Sequence, residues 1–160
     1  MQRRELFSSL ASSIKQTKKQ EKLPRPPYFG DESLFHNECH KCDGACKTVC
    51  EEDIIKIASD KTPYLDFSAR GCTYCDECAI ACNYGVLRVE DKKVINAHVS
   101  IDKSKCLSWG HTLCFSCKDP CLDNAIDFKA MFMPIINDKC VICGFCISKC
   151  PANAITLKVI

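Results

Sequence analysis

The chain has 160 residues, of which 16 are cysteine, and its formal net charge at pH 7 is only +2. Cysteine at this density is typical of a secreted disulfide scaffold or of a metalloprotein, and it is far above the cysteine content of an ordinary globular protein. The near-neutral charge gives no indication of a nucleic-acid partner. No apolar run has the length of a transmembrane helix, so we expect a protein that is not itself membrane-spanning.

Residues 1–30 form a predicted basic arm with a net charge of +5, whereas the rest of the chain has a net charge of −3. Leu6, Leu10 and Ile14 recur at helical spacing and could form the apolar side of an amphipathic helix. The three prolines between residues 24 and 27 then predict an extended linker. The arginine pair near the start is not followed by an apolar segment, so we expect no export signal. The arm is either a docking segment or a solvated, disordered tail.

From residue 31 onward the chain is an internal repeat of four cysteine quartets, with no cysteine left over. The last quartet reads C-x2-C-x2-C-x3-C followed by proline, which is the bacterial run that binds a 4Fe–4S cluster. The first quartet is one residue wider, and we expect Gly44 to absorb the extra residue in the turn. The quartets are Cys39, Cys42, Cys46 and Cys50; Cys72, Cys75, Cys78 and Cys82; Cys106, Cys114, Cys117 and Cys121; and Cys140, Cys143, Cys146 and Cys150.

Disulfide bonds and structural zinc are the two alternatives to iron–sulfur clusters. Disulfide bonding does not require repeated quartets, and we expect the chain to stay in a reducing compartment. Four-cysteine zinc sites usually pair two distant C-x2-C knuckles, so they do not need a third cysteine just beyond the second. We therefore predict four 4Fe–4S clusters. Because 16 thiolates already satisfy four clusters, the four histidines are expected at the surface.

In two-cluster ferredoxins the fourth cysteine of each run ligates the other cluster. Consecutive quartets are separated by 22, 24 and 19 residues, which favours pairing the first with the second and the third with the fourth. We therefore expect two domains, at 31–95 and 96–160. The predicted ligand sets are Cys39, Cys42 and Cys46 with Cys82; Cys72, Cys75 and Cys78 with Cys50; Cys106, Cys114 and Cys117 with Cys150; and Cys140, Cys143 and Cys146 with Cys121.

Short strands are predicted on either side of the quartets. Strands are expected before the second, third and fourth quartets, over 64–67, 99–101 and 133–136, but not before the first. After each fourth cysteine, apolar residues at offsets five and seven are typical of a short strand. The fold class is therefore α+β: two tandem bacterial-type dicluster ferredoxin modules, in which bound metal must supply much of the folding energy. The apolar positions after the quartets are Ile55, Ile57, Leu87, Val89, Ile126, Phe128, Ile155 and Leu157.

The third quartet has seven residues between its first two cysteines, and Trp109, the only tryptophan, lies among them. Its indole could cover the cluster as a hydrophobic lid, or it could contact a partner protein. We favour the lid, because burial is the commoner use of a large aromatic side chain.

This third quartet resembles that of the NapF-type ferredoxin proteins. The likeness is carried by Cys106-Leu-Ser-Trp109, the seven-residue spacing and Cys114-Phe-Ser-Cys117-Lys-Asp-Pro-Cys121. It continues through the arginine pair, the proline-rich entry and Cys72-Thr-Tyr-Cys75, although only the last of the four quartets is followed by proline. The resemblance implies a cytoplasmic iron–sulfur protein. Such a protein would bind the catalytic subunit precursor of the periplasmic nitrate reductase and assist maturation of its 4Fe–4S centre before export.

The sequence shows no phosphate-binding glycine-rich loop and no nucleophile–base arrangement, so we do not expect an enzyme that acts on an organic substrate. Two interpretations stay open. The first is an assembly factor for the nitrate reductase precursor. The second is an electron-transfer ferredoxin that connects a quinol-oxidising membrane complex, through membrane-bound iron–sulfur subunits, to an acceptor. The resemblance favours the first.

Overall fold

The computed structural model describes residues 22–160, so the amphipathic helix predicted around Leu6, Leu10 and Ile14 lies outside the described residues. Within this range, short helices and short strands alternate with loops, as expected for a ferredoxin-type α+β chain. None of the helices described there is long and apolar enough to cross a membrane. The helices are α1 (Ser33–Glu38), α2 (Ala45–Thr48), α3 (Glu77–Ile80) and α4 (Phe145–Lys149). The strands are β1 (Ile55–Ile57), β2 (Pro63–Leu65), β3 (Ala97–Ile101), β4 (Ile126–Phe128), β5 (Pro134–Ile136) and β6 (Ile155–Val159).

The strands form three antiparallel pairs, each joining segments that flank cysteine quartets. In β1–β2, Ile55 lies opposite Leu65, and this pair connects the first quartet to the second. Strands β4 and β5 connect the third quartet to the fourth in the same way. Strand β3, before the third quartet, pairs with β6, after the fourth. The strands predicted after the first, third and fourth quartets are confirmed, and the last two quartets are enclosed by strands on both sides.

The strand predicted after the second quartet is wrong. Leu87 is buried, as the apolar pattern requires, but Val89 is exposed and begins a 3₁₀ turn over Val89–Asp91. The neighbouring position is occupied by Pro27 and Tyr28, whose carbonyls accept hydrogen bonds from the N–H groups of Lys93 (2.8 Å) and Arg88 (2.7 Å). Because proline has no N–H, this neighbour cannot donate the bonds of a regular ladder.

The proline-rich segment is extended, as the sequence predicts, but it is packed into the N-terminal half rather than left as a free linker. Pro26, Pro27 and Tyr28 are among the most completely buried side chains. The Tyr28 hydroxyl accepts a hydrogen bond from the N–H of Asp76 at 3.1 Å, beside the second quartet. This segment therefore supports the loop that carries Cys75.

Buried apolar side chains form two groups, and each group belongs mainly to one half of the chain. The N-terminal group includes Phe35, Leu65 and Leu87, and the C-terminal group is smaller. Partly buried side chains from the C-terminal half pack against both groups, so the halves share apolar contacts; they are Ile142, Ile147 and Leu157. Cysteines of all four quartets lie in or against these groups, which places their thiols in largely apolar surroundings.

Candidate iron–sulfur centres

Three cavities are each lined by three cysteines of one quartet and the fourth cysteine of its neighbour. This is the arrangement that ligand exchange between quartets would produce. The sets are Cys121, Cys140, Cys143 and Cys146; Cys50, Cys72, Cys75 and Cys78; and Cys106, Cys114, Cys117 and Cys150. The structure therefore brings together three of the four sets that the sequence spacing predicts.

The remaining set gathers beside the first quartet. Burial raises the pKa of Cys39 and of Cys46 to about 11, and the nearby thiol of Cys82 contributes to both shifts. Cys82 belongs in sequence to the second quartet, yet its thiol lies near those of Cys39 and Cys46. The thiol of Cys42 also contributes to both shifts, so the four cysteines of the remaining set lie near one another.

A left-handed residue two positions before the third cysteine starts the helix that carries that cysteine. Gly44 (φ 82°), Asp76 (φ 68°) and Gly144 (φ 83°) occupy this position before α2, α3 and α4. Gly44 thus forms the turn expected of it in the wider first quartet, and its N–H donates to the Sγ of Cys42 at 3.3 Å. The additional residue of that quartet, Asp43, is taken up just before the turn.

A second recurring turn follows the fourth cysteine, and sequence reasoning missed it. Three residues beyond each fourth cysteine the backbone is left-handed: Asp53 (φ 49°), Gly85 (φ 65°), Asn124 (φ 49°) and Asn153 (φ 47°). Each of these residues donates its N–H to the carbonyl of its cysteine, at 2.9 to 3.3 Å. Aspartate, asparagine and glycine are the residue types that tolerate this conformation best, so their recurrence at offset three was the available signal.

This turn directs backbone N–H groups at the thiols of three fourth cysteines. Hydrogen bonds to cluster sulfurs are one of the means by which a protein sets cluster potential, and they stabilise thiolate charge. The donors are Leu87 to Cys82 Sγ (3.4 Å), Ala125 to Cys121 Sγ (3.2 Å) and Ala154 to Cys150 Sγ (3.2 Å). The same turn therefore returns the chain to the core and places a hydrogen-bond donor that stabilises the thiolate form needed for ligation.

Burial shifts the thiols toward their neutral form. It raises the pKa of Cys146 to about 12 and those of Cys72 and Cys117 to about 11, with smaller contributions from neighbouring cysteines. These thiols hold their protons at neutral pH unless a metal displaces them, so binding of iron would release protons. Among residues 22–160, no three side chains of His, Cys, Asp or Glu converge closely enough to hold a single metal ion. Instead, four cysteines line each of the three cavities described above.

Comparison with known proteins agrees with this geometry. The family model described as "4Fe-4S binding domain" matches residues 133–156, which contain the fourth quartet. Ferredoxin-type protein NapF of Escherichia coli (strain K12) is 32% identical over 139 residues, covering 84% of each chain. NapF of Haemophilus influenzae is 34% identical over 139 residues, covering 84% of this chain and 78% of its own. The chain belongs to the NapF family of ferredoxin-type proteins. The resemblance noted in the sequence is thereby confirmed.

NapF membership identifies the chain as a ferredoxin-type iron–sulfur protein with 4Fe–4S binding sequence. A relative with a different name is similar to part of the chain. This relative is a component of the Na(+)-translocating ferredoxin:NAD(+) oxidoreductase complex of Acetobacterium woodii. It is 34% identical over 125 residues, which cover 71% of this chain and 35% of that component.

In this NapF family member the stretched loop of the third quartet does not use Trp109 as the cover of the cavity. Leu107 and Pro134 line the cavity of Cys106, whereas Trp109 is not among its lining residues. The indole N–H donates to the carbonyl of Pro134 at 3.1 Å, and the Lys103 ammonium lies 4.5 Å from the ring centroid. Trp109 thus braces the loop against β5 from outside, and the favoured lid interpretation gives way to a packing role.

The histidines of this NapF family member are all exposed, as expected for residues that are not ligands. The side chain of His36 is 59% exposed beside Asp60. All 16 cysteines lie within the described range, and none of them forms a disulfide.

Proposed function

We propose that the chain binds four 4Fe–4S clusters in two tandem dicluster modules, residues 31–95 and 96–160. The observation that carries this proposal is that the cavities are lined by exchanged sets of cysteines, three from one quartet and one from its neighbour. The pairing of β3 with β6 around the last two quartets supports the second module. When bound, the clusters supply one-electron chemistry, and the chain holds them in apolar surroundings with N–H groups directed at the ligands.

We propose that this protein acts in the cytoplasm as an accessory factor. It binds the catalytic subunit precursor of the periplasmic nitrate reductase before export and assists maturation of the 4Fe–4S centre of that precursor. Membership of the NapF family supports this role, since it is the role that the resemblance to NapF-type proteins implies. The residues that would serve the role are cluster ligands and docking surfaces rather than a constellation that acts on an organic substrate.

A second candidate function is electron transfer between membrane-bound iron–sulfur subunits and an acceptor. The similarity to a component of a ferredoxin:NAD(+) oxidoreductase complex favours this candidate, since that relative is named for a redox complex. Both candidates use the same cluster ligands. They differ in whether the precursor is bound for maturation or electrons are passed on.

The basic arm separates the two candidates. In an assembly factor, a tethered docking segment raises the effective concentration of the client protein at its binding site. We expect removal of residues 1–21 to leave iron content unchanged, because it preserves Lys22 and every described contact. The same deletion should weaken binding of the nitrate reductase precursor at low salt. The loss should shrink as salt screens the charges of the arm.

The measurement is titration of the anaerobically purified full chain and the deletion variant with precursor that retains its export signal. A mature catalytic subunit without that signal serves as the comparison ligand. The maturation role further requires that cluster-free precursor gains its 4Fe–4S centre faster with the loaded protein than with iron and sulfide alone. Equal binding by both chains, together with no effect on the centre, would leave electron transfer as the function.

A further inference from the structure

The two halves of the chain meet at the loops of the second and fourth quartets. The N–H of Cys72 donates to the carbonyl of Cys143 at 2.6 Å. Cys72 belongs to the set that includes Cys50, and Cys143 belongs to the set that includes Cys121. A path from one thiol to the other therefore crosses only two cysteine residues and one hydrogen bond.

Two buried glycines permit this approach. A Cβ on Gly71 would lie 2.6 Å from the carbonyl oxygen of Cys143 and equally close to the ring of Phe145. A Cβ on Gly144 would overlap the ring of Phe67, and Gly144 is also left-handed, with φ +83°. Each glycine belongs to one half and its closest obstruction to the other. Only residues without a side chain fit these positions.

Tyr74 fixes the same contact from a second direction. Its hydroxyl donates to the carbonyl of Val141 in the fourth-quartet loop at 2.5 Å and accepts the N–H of Ile95 at 3.3 Å. Tyr74 is the residue immediately before Cys75, so its side chain spans from one loop to the other. With the Cys72–Cys143 bond, it prevents the two loops from sliding apart.

We propose that this contact, formed by Gly71, Cys72, Tyr74, Cys143 and Gly144, is an electron bridge between the two halves. The inference rests on the four proposed clusters. Within each half the clusters are already neighbours, because each receives one ligand from the quartet of the other. We number each centre by the quartet that supplies its first three cysteines. The bridge then joins the second centre to the fourth. The four centres therefore form one path in the order first, second, fourth, third.

This order places the two irregular quartets at the ends of the path. The first quartet has the additional Asp43, and the third has the seven-residue loop around Trp109. The second and fourth quartets, with regular C-x2-C-x2-C spacing, lie in the middle. The step across the bridge moves one electron from a reduced cluster to an oxidised one, with no bond formed or broken and no proton transferred. A one-electron donor protein supplies the electron at one end, and an acceptor of the same class removes it at the other.

The order of the centres is tested with two double variants of the full chain, reduced with dithionite and studied by electron paramagnetic resonance. Cys39→Ala with Cys106→Ala leaves the second and fourth centres, which are neighbours across the bridge. Cys75→Ala with Cys140→Ala leaves the first and third centres, at the two ends. We expect magnetic splitting of the signal in the former protein and its loss in the latter. Splitting only in the latter, or equal splitting in both, overturns the proposed order.

The bridge itself is tested in the otherwise unchanged chain. Gly71→Ala forces the two loops apart, and Gly110→Ala is its control, since a Cβ at Gly110 meets nothing closer than the Leu107 carbonyl at 3.3 Å. We expect equal iron content in both proteins but reduced inter-cluster broadening only in Gly71→Ala. Identical broadening in the two proteins overturns the bridge. Iron and sulfide assays on every variant separate this outcome from failure of the clusters themselves, which would appear as missing metal in the unsubstituted chain.

Discussion

Replacing Asn153 with valine tests the turn that follows the fourth cysteine. Asn153 has φ 47°, and its turn directs the N–H of Ala154 at Cys150 Sγ, 3.2 Å away. A β-branched residue in the left-handed region costs about 1–2 kcal/mol. A backbone that leaves this region escapes the strain but loses the hydrogen bond to Cys150 Sγ, which costs about 0.5–1.5 kcal/mol. Either response therefore costs about 1–2 kcal/mol, which corresponds to roughly 5- to 30-fold faster release of a cluster if this cost is relieved at the transition state.

The ligand exchange that we propose determines which cluster is released. Residue 153 follows the fourth quartet in sequence, but Cys150 lines the cavity of Cys106, Cys114 and Cys117. We therefore expect the third centre to be lost first. Anaerobic challenge with an iron chelator, followed by alkylation and peptide mass spectrometry, identifies the cysteines that become reactive.

The matched control is Asn153→Gly, because glycine adopts the same left-handed backbone without strain. We expect its release rate to stay within a few-fold of the unsubstituted protein. The reasoning is refuted if the valine and glycine variants lose iron at the same rate. It is also refuted if Cys140, Cys143 and Cys146 react first, since that would place Cys150 on its own quartet.

Three further predictions concern composition, ligand exchange and the contact between halves. Protein purified without oxygen should contain close to 16 iron and 16 labile sulfide, because 16 cysteines complete four quartets; stoichiometric zinc with little iron would contradict this. Cys82→Ser should make the first three cysteines of the first quartet reactive to alkylation, and reactivity confined to the second quartet would refute the exchange. Tyr74→Phe leaves the carbonyl of Val141 and the N–H of Ile95 without this partner, so unfolding free energy should fall by about 2 kcal/mol. Tyr84→Phe removes only one exposed hydrogen bond, from a hydroxyl on a side chain exposed to 43% to the carbonyl of Lys41 at 2.8 Å, so it should lower the unfolding free energy by only about 0.5 kcal/mol in the same experiment.

The parts of the fold that the sequence predicts are those determined by local chain geometry. The residue five positions after each fourth cysteine is buried in all four repeats, including Leu87, where no regular strand forms. Burial at this offset follows from the turn that brings the chain back to the core. Strand formation requires a partner as well, and apolar alternation does not reveal whether that partner can donate hydrogen bonds. The neighbouring segment contains Pro26 and Pro27, which have no N–H to donate, and no regular strand forms through Val89.

The contact between the halves could not be predicted for a related reason. Gly71 and Gly144 appear in the sequence as ordinary loop glycines, and only Gly144 has a positive φ that local rules could anticipate. What makes both necessary is the other loop, which is more than 70 residues away in sequence. Tyr74 is similar, since its position beside Cys75 gives no sign that its hydroxyl bonds to Val141. Close approach between distant segments leaves no periodic pattern in either of them.

The four repeats differ in the spacing of their first three cysteines but share the left-handed turn after the fourth cysteine, and the ligand exchange that we propose accounts for this contrast. The first three cysteines of a quartet belong to one loop, so the loop can lengthen by one residue at Asp43, or by more around Trp109, and still surround one centre. In this proposal the fourth cysteine leaves that loop and ligates the neighbouring centre, while the chain after it must return to the core within five residues. A single residue in the left-handed conformation satisfies both conditions, and its N–H bond to the cysteine carbonyl holds the turn closed. Variation is therefore tolerated where one loop meets its own cluster, and it is restricted where one chain segment links two.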